Sequence, residues 1–357
     1  MNGMRLRTAR EACWMTQSEL AAQAGIPTST ISKMERDIYG NASDDYVDTL
    51  ADALDIPVSF LSNAPLPDVP DGRYRKQSKA SAKLQKSVVA HARQVASVMQ
   101  DADAHYRIHK TTLVPMERGE NLDDSEGISR RLRNMLGLSI EGPVGNMTRA
   151  CERAGVVVAD MSPVGPGGQT EGERRFSAFS AWPDMGMGDS RPVIIVSSYL
   201  SGDILRATIA HEVAHIYAHT RNPAIPDAIA ERQAWMIGGE LMIPVKEARE
   251  ILGGRQVTLD RLRRMKAAYG VSVKFLITYC EHRHIITRER AVALNKQYSS
   301  RKWHQGEPVE VVKERAQLFP SVIRRMMNDG LDIGMSRSDV TSIVWGGGNA
   351  RARLTLV

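Results

Sequence analysis

The residues of this sequence that are best suited to chemistry lie in the stretch His211-Glu-Val-Ala-His215. On an α-helix, residues four apart lie one above the other on the same face. Two imidazoles placed in this way can bind one zinc ion, with Zn–N distances of about 2.0–2.1 Å. Glu212 is rotated by about 100° from His211, so its carboxylate can take the proton from a zinc-bound water. The spacing therefore predicts a hydrolytic zinc site, and the alternative is a helix with two surface histidines and an acid.

A catalytic zinc site needs a third protein ligand and leaves one position for water. Glu231 is the preferred candidate because it lies on the next predicted helix, which can face the first helix across a groove. His219 continues the four-residue spacing, but three ligands on two turns of one straight helix cannot converge on one ion. Asp227 is the remaining alternative. If Glu231 is not a ligand, we expect it to be a solvent-facing acid paired with a neighbouring arginine.

A second group of residues, near the start of the sequence, is suited to reading DNA. Thr16 and Glu19 form a capping box that opens a helix, and Gly25 ends that helix before a tight turn. The exposed amino-terminal face of the following helix would enter the major groove. The predicted DNA-contacting residues on that face are Thr28, Ser29, Thr30, Ser32 and Lys33. Gln17, at the start of the preceding helix, is placed to donate a hydrogen bond to a phosphate.

Apolar periodicity and turn residues divide the chain into four predicted regions. These are a five-helix domain at 1–65, a linker with an amphipathic helix at 66–122, a domain around the zinc motif at 123–253, and a helical region of unknown role at 254–357. The expected fold class is α+β, mainly α-helix with a small β-sheet. Because the stretch 63–82 is rich in Pro, Asp, Ser and Lys, we expect it to connect the first domain loosely to the rest.

The zinc motif is predicted to lie on a buried helix from Ile204 to about His219, followed by a helix from Ala228 to Met242. Two buried strands are predicted before it, at Val156–Val158 and Pro192–Val196. Residues 163–190, rich in Gly, Pro and Met, predict a long surface loop between these strands. We expect the second strand to hold an extended peptide along its edge.

The composition narrows the class of protein. The net charge of +6 over 357 residues is compatible with a nucleic-acid partner, although residues 1–65 are acidic on balance. No apolar run approaches the roughly 18–20 residues that cross a bilayer, and no secretory signal is recognisable, so we expect no membrane partner. The three cysteines are isolated, which argues against a disulfide framework and a thiolate zinc site. A reducing cytoplasm is the expected location.

Two parts of the sequence resemble known families. Residues 5–62 resemble the Xre/Cro-type helix-turn-helix regulators, through Leu6-Arg-x-x-Arg10, Thr16-Gln-x-x-Leu-Ala21 and Ala24-Gly-Ile26. Roughly residues 124–250 resemble the ImmA/IrrE family of metallopeptidases, through Arg206-Ala-Thr-Ile-Ala-His-Glu-Val-Ala-His215 and Glu231-Arg-Gln-Ala234. This resemblance implies a zincin-like peptidase domain with His211, His215 and Glu231 as zinc ligands and Glu212 as the catalytic residue. The sequence departs from the family at Trp235, where Asn or Asp is usual, and at Gly238 and Gly239, where Ala is usual.

The two resemblances imply a transcriptional regulator that carries a zinc-dependent endopeptidase. Proteins with this pairing act in stress or mobile-element control, by cleaving a repressor or by working as one. The expected partners are double-stranded operator DNA and a protein substrate such as a repressor. The alternative is a repressor whose peptidase-like domain is a non-catalytic sensor or partner-binding module, and an antitoxin-like protein is a third hypothesis. We expect the predicted helix from Lys83 to about Ala104 to pack on the next domain, and a homodimer through this helix is the alternative. A regulatory or oligomerising role is expected for 254–357.

Overall fold

The structure is a computed structural model that describes residues 1–38, 45–62, 66–69, 81–161, 176–183 and 190–345. Most of the predicted linker at 63–82, and much of the predicted loop at 163–190, lie outside the described residues. The described chain is mainly helical with one small sheet, so the expected α+β class is confirmed. None of its helices has the length and apolar character required to span a membrane.

The chain packs into two compact units that are discontinuous in sequence. The first unit contains Met1–Thr111, Val156–Tyr199 and Ala316–Val357, and the second contains Thr112–Gly155 and Leu200–Arg315. The regions predicted at 123–253 and 254–357 each contribute to both units. The predicted domain boundaries therefore describe the order of sequence motifs, whereas packing joins segments that are far apart in the chain.

The first unit begins with a bundle of five short helices, as predicted. They are α1 (Gly3–Ala12), α2 (Gln17–Ala24), α3 (Thr28–Met34), α4 (Val47–Leu54) and α5 (Val58–Ser62). The capping box of Thr16 and Glu19 is present at the start of α2. Gly25 ends α2 with a φ of +67°, a backbone conformation that a side chain disfavours. Leu6, Leu20 and Ile31 are fully buried at the centre of this bundle, so an apolar core fixes the angle between α2 and α3.

A three-stranded sheet and a long helix complete most of the first unit. The helix is α6 (Ala82–His105), and the strands are β1 (Val157–Met161), β2 (Ala178–Ala181) and β3 (Val193–Ser197). The strand order is β1-β3-β2, with β1 parallel and β2 antiparallel to β3. The two predicted strands are therefore confirmed within one to three residues at their ends.

Two expectations about this sheet are wrong. The predicted loop at 163–190 contains β2, whose backbone pairs with β3 and whose four residues are all buried, so the strand shows no alternation of apolar and polar residues. The prediction that the strand near Pro192 holds a peptide along its edge also fails. β3 is the central strand and its backbone groups pair with β1 on one side and β2 on the other. A strand paired on both sides has no open edge for a peptide.

Helix α6 packs against the sheet on one side and against α1 on the other. Its apolar side, which includes Val88, Val95 and Met99, joins the sheet and α15 (Leu318–Asn328) in one buried cluster. On the other side, Arg5 of α1 donates a hydrogen bond to Ser97 at 3.5 Å. The five-helix bundle is thus packed on α6, which differs from the loose attachment expected from the composition of 63–82.

The second unit is all-helical in the described residues. Its helices are α7 (Ser125–Met135), α8 (Met147–Arg153), α9 (Gly202–His219), α10 (Asp227–Met242), α11 (Val245–Leu252), α12 (Leu259–Tyr269), α13 (Val273–His282) and α14 (Arg288–Ser300). Helix α9 is buried on almost every side and packs along α10. The last described helix, α16 (Arg337–Trp345), belongs to the first unit with α15. Within the described residues up to 345, the expectation that the region from 254 is mainly helical is confirmed, while 346–357 lie outside the described residues.

Candidate metal centre and DNA-reading helix

The predicted zinc motif lies on α9, in the interior of the second unit. His211 and His215 are each 4% exposed, and Glu212 is fully buried. The residues between and around them, including Ile209, Val213 and Ala214, are apolar and buried, so α9 is held from several sides. The burial contradicts the alternative of a helix with two surface histidines.

Helix α10 brings Glu231 to α9 because the two helices approach closely at Gly238. A Cβ atom on Gly238 would lie 3.0 Å from the Ala210 carbonyl and from the Cα of His211. Glu231 is seven residues earlier on α10 and therefore on the same face as Gly238. Glycine at this position, where the resembling family usually has Ala, permits the close approach that sets Glu231 opposite the histidines.

The three side chains converge on one point. The Nε2 atoms of His211 and His215 lie 3.0 Å apart, and the carboxylate oxygens of Glu231 lie 3.4 Å and 3.3 Å from them. Tetrahedral ligands at about 2.0–2.1 Å from zinc are about 3.3–3.4 Å from one another. The donor set and its spacing therefore fit a zinc ion, and these three residues form the one group of metal-ligating type found in the described chain.

The surroundings of Glu231 and His215 shift their pKa values towards the protonation states that bind metal. Burial raises the pKa of Glu231, but hydrogen bonds from His211 and His215 outweigh it and bring that pKa well below its ordinary value. Burial, assisted by His211, lowers the pKa of His215. An ionised carboxylate and a neutral imidazole are the forms in which Glu231 and His215 would act as ligands.

A chain of hydrogen bonds leads from His215 to the edge of the second unit. The Nδ1 atoms of His215 and His219 are 3.1 Å apart, and His219 Nε2 is 3.1 Å from Gln233 Oε1. Gln233 in turn donates from Nε2 to Asp123 at 3.2 Å. If His215 uses Nε2 for a metal, its Nδ1–H donates to His219, and His219 donates from Nε2 to Gln233. The structure therefore places His219 behind His215, outside the group of donors formed with Glu231.

The predicted DNA-contacting residues lie along α3 and at the start of α2. Thr28, Ser29 and Lys33 are exposed, whereas Thr30 and Ser32 are half-buried. Ser32 accepts a hydrogen bond from Arg36 at 3.1 Å. Gln17 is half-buried and donates to Glu35 at 2.8 Å, an interaction that the sequence did not indicate. Contact with a phosphate would require Gln17 to share or leave that bond.

Two family models match parts of the chain. Residues 6–61 match the helix-turn-helix family, and residues 151–278 match the IrrE N-terminal-like domain of the M78 peptidase family. The chain joins a helix-turn-helix domain to an IrrE N-terminal-like domain. No curated protein matches the chain. The helix-turn-helix match covers α1 to α5, including the candidate reading helix α3, and supports DNA binding and transcription regulation.

The IrrE N-terminal-like match runs from α8 into α13, beyond the predicted limit at residue 253. Trp235, where the resembling family usually has Asn or Asp, packs on α13. Its ring lies 4.6 Å from the ring of His282 and 5.8 Å from that of Phe275, both on α13. Helix α13 therefore supports α10. His282 takes part in this packing.

Proposed function

We propose that this protein is a DNA-binding transcriptional regulator whose IrrE N-terminal-like domain is a zinc-dependent endopeptidase. Its substrate would be a regulatory protein, such as a repressor, in stress or mobile-element control. The observation that supports this most is the convergence of His211, His215 and Glu231 at separations that suit zinc, next to a buried glutamate. The helix-turn-helix domain provides the means of reaching an operator.

Each side chain of the site has a distinct role in this proposal. His211, His215 and Glu231 would hold the metal and leave one position open. A bound zinc ion would supply an acidified water and polarise the scissile carbonyl. Glu212 would accept the proton of that water and return it to the leaving amine. His219 and Gln233 would keep the His215 ring in the orientation and tautomer that ligation requires.

One observation favours the alternative of a non-catalytic sensor or partner-binding module. Glu212 has no exposed surface, and Glu231, with about a third of its side chain exposed, is the most open of the four site residues. A general base must reach a water and the leaving group. In the non-catalytic alternative, the same buried cluster binds a metal and stabilises the fold without turnover.

Cleavage of a candidate repressor distinguishes the two functions. The full chain, loaded with zinc, is incubated with a repressor encoded beside it, and the products are followed by mass spectrometry. We expect defined fragments with the native chain and none with Glu212→Gln, while both proteins retain about one zinc per chain. Cleavage by Glu212→Gln at the native rate would contradict the assigned base. Absence of cleavage by the native, zinc-loaded chain would favour the non-catalytic module.

A further inference from the structure

A groove in the first unit joins the DNA-reading helices to α6. Gln17, Ser18, Ser32 and Arg36 line it from the helix-turn-helix domain, and Lys83 and Lys86 line it from α6. Helix α6 lies outside the matched helix-turn-helix segment at 6–61. Two of the residues predicted to contact DNA therefore share a groove with two lysines of a different element.

The helix-turn-helix domain by itself carries too little positive charge to bind DNA strongly. Residues 1–65 contain five Lys and Arg residues but nine Asp and Glu residues. Two of those cations are engaged, because Arg7 lies 3.0 Å from Glu11 and Arg10 donates to Glu35 at 2.9 Å. Binding to duplex DNA depends on the neutralisation of phosphates by cations. A DNA-binding surface here needs positive charge from outside residues 1–65.

Lys83 and Lys86 are placed to supply that charge. They are three residues apart on α6 and therefore on the same helical face. Lys86 is exposed. Lys83 lies 3.3 Å from Glu19 of α2. The side chains of Lys83 and Glu19 are 39% and 55% exposed, so their ion pair is weak. A phosphate can therefore replace Glu19 as the partner of Lys83 at little cost in free energy.

The position of the groove matches the path of a DNA backbone. In helix-turn-helix complexes the reading helix lies in the major groove, and the backbone passes the start of the preceding helix. Gln17 and Ser18 form that start, and Ser32 lies on the reading helix. We propose that Lys83 and Lys86 bind backbone phosphates, so that the DNA-binding surface extends from the helix-turn-helix domain onto α6. The proposal rests on the DNA binding assigned to the first domain.

The salt dependence of DNA binding tests this proposal. The full chain and the variant Lys83→Ala with Lys86→Ala are titrated onto a mixed-sequence labelled duplex of about 30 base pairs, and binding is followed by fluorescence anisotropy. Each lost phosphate contact reduces the slope of log K against log salt by about 0.9, so we expect a reduction of about 1.8. Between about 50 and 200 mM salt the native chain should lose roughly tenfold more affinity than the variant.

Two control variants make the result specific. Lys246→Ala with Lys274→Ala removes the same charge from exposed sites of the second unit and should keep the native slope. Lys83→Arg with Lys86→Arg keeps the positive charge and should also keep the native slope. A native slope in the Lys83→Ala, Lys86→Ala variant, or an equal loss in the Lys246→Ala, Lys274→Ala variant, would overturn the role of α6 while leaving DNA binding intact. Failure of the native chain to bind any duplex would overturn the DNA-binding function and this proposal with it.

Discussion

Replacement of His219 by alanine tests whether the hydrogen bonds behind the metal centre have the role that their geometry indicates. The change removes the partner of His215 Nδ1 and of Gln233 Oε1, which lie 3.1 Å from the two nitrogens of His219. It also leaves a gap in a site where His219 is only 3% exposed. The three side chains that we propose as metal ligands are not changed.

The size of the effect follows from these contacts. A buried polar group that loses its partner costs about 1–3 kcal/mol. Loss of the group that orients a metal-binding histidine weakens metal affinity by roughly 10- to 100-fold, or about 1.4–2.7 kcal/mol. These two ranges of free energy overlap. We therefore expect the dissociation constant for zinc to be one to two orders of magnitude higher in His219→Ala.

Competition with a zinc chelator measures this affinity in the full chain. Two variants serve as controls. His304→Ala removes an exposed histidine of the second unit and should keep the native affinity. His219→Gln keeps an oxygen that can accept from His215, so it should recover part of the loss. Thermal unfolding of the metal-free proteins shows whether the variants are folded. A zinc affinity of folded His219→Ala within about twofold of the native value would refute the argument from orientation.

Three further predictions concern the metal, the DNA and pH. Elemental analysis of the native chain should give about one zinc per chain, and His215→Ala should give almost none, while equal metal in both would exclude this site. Ser29→Ala with Lys33→Ala should weaken operator binding in a gel shift without changing the zinc content, and unchanged binding would remove α3 as the reading helix. Burial lowers the pKa of His91, on α6, so the folded chain takes up its proton less readily than the unfolded chain. Above about pH 6.5 this histidine is neutral in both states and leaves the free energy of unfolding unchanged. Below about pH 6.5 it lowers the free energy of unfolding by up to about 1.4 kcal/mol per pH unit. Urea unfolding should show a flatter pH dependence in His91→Gln, and an identical slope would contradict this account.

The sequence predicted those parts of the structure that depend on local signals. The capping box of Thr16 and Glu19, the glycine at 25 and the spacing of His211 and His215 each act within one or two turns of helix. Such signals identify an element without knowledge of its neighbours. The roles of Glu231 as a ligand and of Thr28 to Lys33 as DNA contacts stay predictions that the experiments above address.

The features that the sequence did not reveal depend on contacts between distant segments. Strand β2 carries no alternation, because all four of its residues are buried. Helix geometry already argued against His219 as a ligand, but its contacts with His215 and Gln233 depend on the packing of α10 on α9. The composition of the segment between α1 and α6 likewise did not predict that these two helices pack together.

The discontinuity of the first unit has a consequence for synthesis on the ribosome. The apolar side of α6 is covered in part by Phe319, Ile323 and Met326 of α15, which are translated long after it. Until those residues emerge, the growing chain exposes a layer of apolar surface that chaperones and proteases can recognise. A product of premature termination would keep the reading helix but lack part of this core, so cellular quality control should remove it before it occupies an operator.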